Sequence, residues 1–193
     1  MIWWLRIRAA PAVLGALLLT LFVAVLVPHS EVPIPSVVGG LTSGLPLRYL
    51  VPLLPVLLLL HGQGQADWET ERVAARAVRT LDVVLSLLVV GITLLAALVV
   101  PDGVAIARNI AGYLGFACIV RWFSTARLAT ALTAFMPFLV VSVGGHGGTP
   151  AWWAWPLHDG NKPAAACAAT LLFIGGLALS LRPPLRGDRE PDE

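Results

Sequence analysis

Charged side chains are scarce in this 193-residue chain: they make up 12% of residues, whereas an ordinary soluble domain has about a quarter. Hydrophobic residues account for 58%, and the mean hydropathy is +0.83. These values exclude a soluble globular domain and indicate one integral membrane domain, with the lipid bilayer as its first partner. The basic residues flank apolar segments and form no patch interleaved with aromatic residues, so no nucleic-acid partner is expected.

Lysine is almost absent, and with it the common phosphate-binding loop. The only lysine, Lys162, follows Gly160-Asn161 and lies outside any Gly-x-x-x-x-Gly-Lys-Ser/Thr motif, so ATP hydrolysis by that route is excluded. His-Glu-x-x-His, Gly-x-Ser-x-Gly and Cys-x-x-Cys are missing as well. Metalloprotease, serine hydrolase and redox-motif activities therefore lack their minimum residues. We predict no enzymatic activity, no cofactor, and no catalytic or metal-binding residues.

Long apolar runs, in contrast, recur six times, at residues 9–27, 45–60, 81–100, 104–120, 128–144 and 163–181. Most approach the roughly 20 residues that a helix needs to cross about 30 Å of hydrocarbon. The predicted fold is all-α: a polytopic bundle of six transmembrane helices in a single domain over residues 1–193, with a charged cytoplasmic tail at 182–193. Asp82, Arg108 and Arg121 lie near span ends, where they can pair or reach an interface, so no buried ion path is predicted.

The distribution of basic residues predicts the orientation of the bundle. If the N-terminus is cytoplasmic, only three of the thirteen Lys and Arg residues lie outside, namely Arg48, Arg108 and Lys162. Cytoplasmic loops carry the excess of basic residues in short-loop membrane proteins. We therefore expect a multi-pass protein of a bacterial cell membrane with both termini cytoplasmic.

Three prolines fall in or beside the second span: Pro46, Pro52 and Pro55. Proline has no backbone N–H, so the inner two leave the carbonyls of Arg48 and Val51 without their usual helical donors. The sequence therefore predicts a kink in this span.

Small residues recur at helical spacing on three spans: Ala12, Ala16, Thr20 and Ala24; Ala107, Ala111 and Gly115; Ala165, Ala169 and Gly176. Small side chains let neighbouring helices approach closely. Two interpretations stay open. The stripes pack against each other inside one bundle, or they leave a surface for a second membrane subunit in a homodimer or heterodimer.

The longest predicted cytoplasmic loop, residues 61–80, indicates a short amphipathic helix between spans 2 and 3. Glu69 and Glu71 fall in its first turn, where carboxylates are favourable. Along one face at helical spacing lie Arg72, Arg76 and Arg79. This basic stripe either anchors a helix on anionic lipid head groups along the inner leaflet, or forms part of a docking element for a cytoplasmic partner.

The main external loop, residues 145–162, contains three tryptophans within four residues: Trp152, Trp153 and Trp155. Indole rings favour the head-group level of a membrane, so the cluster is typical of an aromatic belt at the outer interface. The alternative is a surface on which a substrate stacks.

Topology and the inner loop together resemble the membrane subunits of ATP-binding-cassette exporters of the type 2 permease class. The resemblance rests on Glu69-Thr70-Glu71-Arg72 within the predicted helix, on six spans, and on a basic segment before the first span. It implies a partner, because the corresponding inner loop in that family couples to a separate cytoplasmic ATPase. A composition rich in Ala, Leu, Val and Arg with one Lys is also typical of a GC-rich bacterial gene, such as an actinobacterial one.

The expected function is therefore a permease-like subunit of a bacterial transporter that depends on a separate cytoplasmic ATPase. The competing expectation is a non-transporting membrane protein that serves as an accessory, immunity or scaffold subunit.

Cysteine labelling tests the predicted orientation. In a variant without the two native cysteines, an impermeant thiol reagent added to intact cells should label Pro150→Cys and spare Thr70→Cys. The physical reason is the basic asymmetry, which places the first position outside and the second inside. Both positions should be labelled after lysis, and the opposite pattern in intact cells would contradict the orientation.

Overall fold

The computed structural model describes residues 8–27, 30–35, 42–64, 68–146, 149–151 and 153–182. Its helices, in chain order, are α1 (Ala10–Leu26), α2 (Leu47–Leu50), α3 (Leu53–Gly64), α4 (Trp68–Ala96), α5 (Gly103–Phe123), α6 (Ala126–Gly144) and α7 (Pro163–Ser180). A single 3₁₀ turn, Trp155–Leu157, lies between α6 and α7. The charged tail predicted at 182–193 falls outside the described residues beyond position 182.

Two short antiparallel hairpins link helices, and the all-α prediction did not include them. β1 (Glu31–Pro35) pairs with β2 (Thr42–Pro46) in the register Glu31 opposite Pro46. β3 (Gly145–His146) pairs with β4 (Thr149–Pro150). Both hairpins lie in connections between helices, so the bundle itself is helical as predicted.

Among the described residues, four helices are long and apolar enough to cross a membrane: Val78–Ala96 of α4, and the whole of α5, α6 and α7. They confirm the last four predicted spans, with ends that shift by a few residues. The protein is therefore a helical, multi-pass membrane protein.

The prediction of six full-length spans is not confirmed. The apolar helices α1 and α3 contain 17 and 12 residues, fewer than the roughly 20 that a span needs. The predicted bounds 45–60 are also wrong, because Pro46 ends a strand and α3 starts only at Leu53 and continues to Gly64. Between the two helices, Val51 and Pro52 form a turn.

The predicted kink is present as a complete break between α2 and α3. Pro52 and Pro55 remove two helical N–H donors, and at the Val51 carbonyl other groups take the place of the missing Pro55 donor. The Val51 carbonyl accepts hydrogen bonds from the Thr20 hydroxyl at 3.2 Å and from the Leu54 amide at 3.1 Å. The Tyr49 carbonyl accepts one from the Tyr113 hydroxyl, also at 3.2 Å. Neighbouring helices thus satisfy the interrupted backbone, as the membrane interior requires.

Helix α5 lies at the centre of the bundle and makes its most extensive contact with α7. The small-residue stripes of these two helices face each other: a Cβ at Gly115 would lie 2.3 Å from the Leu172 carbonyl carbon, and one at Gly176 would lie 2.5 Å from the Gly115 carbonyl oxygen. The stripes on α5 and α7 therefore serve packing within the bundle.

The outer surface of the bundle is apolar. Exposed side chains include Leu18 on α1, Leu95 on α4 and Leu171 on α7, with 66%, 69% and 72% of their area accessible. Continuous exposure of large apolar side chains on several helices is what a lipid-facing surface requires, and it agrees with the membrane assignment.

Two adjacent glycines on α7 provide a matched test of the α5–α7 contact. Gly176→Ala should lower the free energy of unfolding by about 1 to 3 kcal/mol, the typical cost of overpacking, because its methyl group meets backbone. Gly175 has nothing within 4 Å of an added Cβ, so Gly175→Ala should leave stability unchanged or slightly higher. Thermal unfolding in detergent compares the two variants. Equal melting temperatures would contradict the close contact.

Candidate functional site

The predicted docking residues lie on the first turns of α4. Because residues 68–90 contain no proline or glycine, nothing interrupts the backbone, and α4 is one continuous helix of 29 residues. The predicted short amphipathic helix is therefore not a separate element but the first turns of the helix that forms the third predicted span. For four of the predicted docking residues the structure describes the helical backbone and not the side chain: Glu69, Glu71, Arg72 and Arg76. The Arg79 side chain is half-buried.

A buried polar group lies where α4 enters the bundle. It consists of Arg8, Gln63, Asp82 and Arg121, which we call the Arg8 cluster. The Arg8 Nε lies 3.1 Å from Asp82 Oδ1, and the two side chains are 2% and 17% exposed. Burial of a charge is costly unless it is paired and hydrogen-bonded, so this ion pair fixes Arg8 against α4.

Arg8 also closes the C-terminal end of α3. Its Nη1 donates to the Gly62 carbonyl at 3.2 Å and to the Gln63 carbonyl at 2.8 Å. Carbonyls in the last turn of a helix lack intrahelical donors and carry the negative end of the helix dipole. A guanidinium group at this position therefore satisfies both the hydrogen-bonding and the electrostatic requirement.

The cluster reaches the central helix through Gln63. Arg121 Nη1, near the end of α5, donates to Gln63 Oε1 at 3.1 Å. Polar contacts thus join four elements at one end of the bundle: the start of α1, the end of α3, α4 at Asp82, and the end of α5. All four positions belong to the predicted cytoplasmic side.

At the opposite end, a second set of polar side chains holds the external loop. Tyr49, Arg108 and Asn109, called the Arg108 cradle, are 3%, 6% and 0% exposed. Arg108 donates to the carbonyls of Pro156, His158 and Asp159, the last at 2.8 Å. Asn109 Nδ2 donates to the Pro156 carbonyl at 3.3 Å, and the Tyr49 hydroxyl donates to the Leu157 carbonyl at 3.2 Å. The four consecutive carbonyls of residues 156–159 therefore accept hydrogen bonds from these three side chains.

Trp155 inserts beside this cradle into the bundle. It is 4% exposed, and its ring lies 5.3 Å from that of Tyr113, tilted by 56°. A Cβ at Gly112 would lie 2.3 Å from the indole ring, so the absence of a side chain there makes room for it. The prediction of an aromatic belt is wrong for Trp155, because the 3₁₀ turn carries this ring inward.

Burial of Trp155 is not shared by the other tryptophan that the structure describes. Trp153 is 40% exposed at the loop surface, as an interfacial ring would be. Trp152 lies outside the described residues. Within the described residues, exposed Trp153 and buried Trp155 therefore do not share one exposed surface.

Sequence reasoning missed both polar sets. Asp82 and Arg121 were recognised only as charges near span ends, and Arg8 only as a cytoplasmic basic residue. The available signal was their shared depth: a basic residue just before the first span and an acidic residue just inside the third. Within the described residues, no group of three His, Cys, Asp or Glu side chains is placed to hold a metal ion.

Comparisons with family models, with curated proteins and with solved structures find no match for this chain.

Exchange of Trp155 for alanine tests the anchoring of the external loop. Trp155→Ala should lower the free energy of unfolding by about 3 to 5 kcal/mol, because it empties a buried aromatic site. Trp153→Ala removes the same side chain from a half-exposed position and should cost no more than about 0.5 kcal/mol. Thermal unfolding in detergent measures both. Equal stability of the two variants would show that Trp155 is not buried.

Proposed function

We propose that this chain is a membrane-spanning, permease-like subunit of a bacterial transporter, and that it depends on a separate cytoplasmic ATPase. The observation that carries the proposal is the continuity of α4. Its 29 residues extend over about 43 Å, whereas the hydrocarbon core is about 30 Å thick. Residues 68–77, which carry four charged side chains, precede the apolar part Val78–Ala96, so about 15 Å of helix extends beyond the membrane-crossing part.

Continuity favours docking over lipid anchoring for this extension. A helix that lies along the membrane surface and then crosses it needs a sharp bend, which usually occurs at proline, glycine or a bulge. The described backbone of α4 has no interruption between Trp68 and Ala96. An extension that continues the direction of the span presents Glu69, Glu71 and Arg72 to a cytoplasmic protein.

The proposal includes a cytoplasmic location for both termini. Contacts at the two ends of the bundle support alternate helix directions. The start of α1 meets the end of α3 in the Arg8 cluster, and α2 meets the external loop at the Arg108 cradle.

The competing proposal is a non-transporting accessory, immunity or scaffold protein. Its support is the compact interior around α5. A groove between α1, the α2–α3 break and α5 is apolar and is lined by Thr20, Val51 and Ile106 among others. A scaffold needs no polar passage, whereas a transporter built from this chain would form its passage together with another subunit.

Co-purification with an ATPase distinguishes the two proposals. The tagged chain, co-expressed with a cytoplasmic ATPase encoded beside its gene, should retain that ATPase through purification. Reversal of charge in Glu69→Lys/Glu71→Lys should abolish retention, because the carboxylates at the start of the extension contribute to docking through complementary charge. Membrane insertion should be unchanged.

The matched control is Asp192→Lys, a reversal of one acidic charge in the C-terminal tail, which should retain the ATPase. Replacement of Arg72, Arg76 and Arg79 by glutamine separates docking from lipid anchoring, since a purely lipid-anchoring stripe would leave retention of the ATPase intact. Failure of the unaltered chain to retain the ATPase would favour the accessory or scaffold function.

A further inference from the structure

We propose that Arg8 and Asp82 form the joint through which movement of the α4 extension reaches the rest of the bundle. The inference rests on the proposed function and assigns these two residues a positioning role in it. Asp82 lies close to the start of the membrane-crossing part of α4, five residues after the end of the extension at residue 77. A force applied to the extension therefore reaches Asp82 before most of the span.

The remainder of α4 is held loosely by comparison. Its contacts are mainly with α5, with few to α1 and α7, and they are far less extensive than those between α5 and α7. Leu87, Leu88 and Leu95 are exposed, and the contacts inward are made by a narrow face. The ion pair with Arg8 is thus a charged attachment on a helix that otherwise contacts the bundle through one apolar face.

Arg8 connects Asp82 to two other helices, α3 and α5. Its guanidinium group donates to the last turn of α3, and Gln63 of that turn accepts from Arg121 of α5. Its backbone is also in direct contact with α3, since a Cβ at Gly62 would lie 2.3 Å from the Arg8 carbonyl oxygen. Displacement of Asp82 cannot leave α3 and α5 unaffected while these contacts persist.

The backbone next to Arg8 indicates that its position is enforced. Ala9 adopts a left-handed conformation with φ 50° and ψ 30°, which is unfavourable for a residue other than glycine. Such a conformation persists where surrounding contacts determine it. Here it turns the chain between Arg8 and the first residue of α1. The Arg8 guanidinium group then lies between Asp82 of α4 and the last turn of α3.

The first test uses the full chain alone in lipid nanodiscs. Hydrogen exchange at the amides of residues 13–16 and 78–86 should be faster in Arg8→Gln and in Asp82→Asn than in the unaltered chain, because these amides donate within α1 and α4. The exchanged pair Arg8→Asp/Asp82→Arg should return exchange toward the original rate. Arg127→Gln removes an exposed cation at the same end and is the matched control. Unchanged exchange in both single variants would overturn the joint.

The second test uses the complex with the ATPase and a thiol probe at Trp153→Cys in a chain without native cysteines. All variants should retain the ATPase, since the docking residues are unaltered. The ATP-dependent change in labelling rate at position 153 should be at least about 5-fold smaller in each single variant. It should be recovered in the exchanged pair and remain intact in Arg127→Gln.

The outcomes separate the two proposals. If no ATPase is retained by the unaltered chain, the proposed function fails, and hydrogen exchange alone decides whether the joint exists. If the ATPase is retained and the single variants respond to ATP as the unaltered chain does, the joint is wrong and the proposed function stands. An exchanged pair that stays as impaired as the single variants would also overturn a joint based on charge pairing.

Discussion

The architecture depends on one constraint: backbone carbonyls that leave helical geometry within a membrane protein need donors from elsewhere, because lipid supplies none. Three carbonyl groups illustrate it. Thr20 donates to the carbonyl at the α2–α3 break, Arg8 to the last turn of α3, and Arg108 to the 3₁₀ turn of the external loop. Each donor comes from a different part of the chain than its acceptor. These contacts therefore fix how distant segments meet, whereas the apolar surface alone would allow many arrangements.

The two buried arginines, Arg8 and Arg108, both donate to backbone carbonyls of a distant segment, but they lie in different surroundings. Arg108 lies on the central helix and holds a loop, so its contacts close one end of the bundle around a rigid element. Arg8 lies outside α1 and meets Asp82 on α4, a span that is much less buried than α5, so its contacts join the central helix to a peripheral one. This difference is why the proposed ATPase partner is placed at the Arg8 end and not at the Arg108 end. Small residues on α5 and α7 give the core its rigidity by allowing backbone contact.

Much of the helical architecture could be predicted from local sequence. Apolar length identified four spans, and Pro52 with Pro55 identified the break. The second span was misplaced because residues 45–50 form the end of β2 and the short helix α2. Hydropathy does not distinguish these elements from part of a span. Trp155 was misassigned because its composition fits an interface, while its actual site depends on the absence of a side chain at Gly112. The Arg8–Asp82 pair could not be identified, since charge near a span end gives depth but not the identity of a partner across the bundle.

Solvent exchange of arginine side chains tests the central claim, that Arg8 and Arg108 are fixed to internal acceptors. With ¹⁵N-labelled arginine in a detergent-solubilised sample, NMR reports exchange of each guanidinium Nε–H with water. The account predicts two slowly exchanging signals, one removed by Arg8→Lys and the other by Arg108→Lys, while exposed Arg182 exchanges rapidly. Exchange of the Arg8 and Arg108 signals as fast as that of Arg182 would contradict the account.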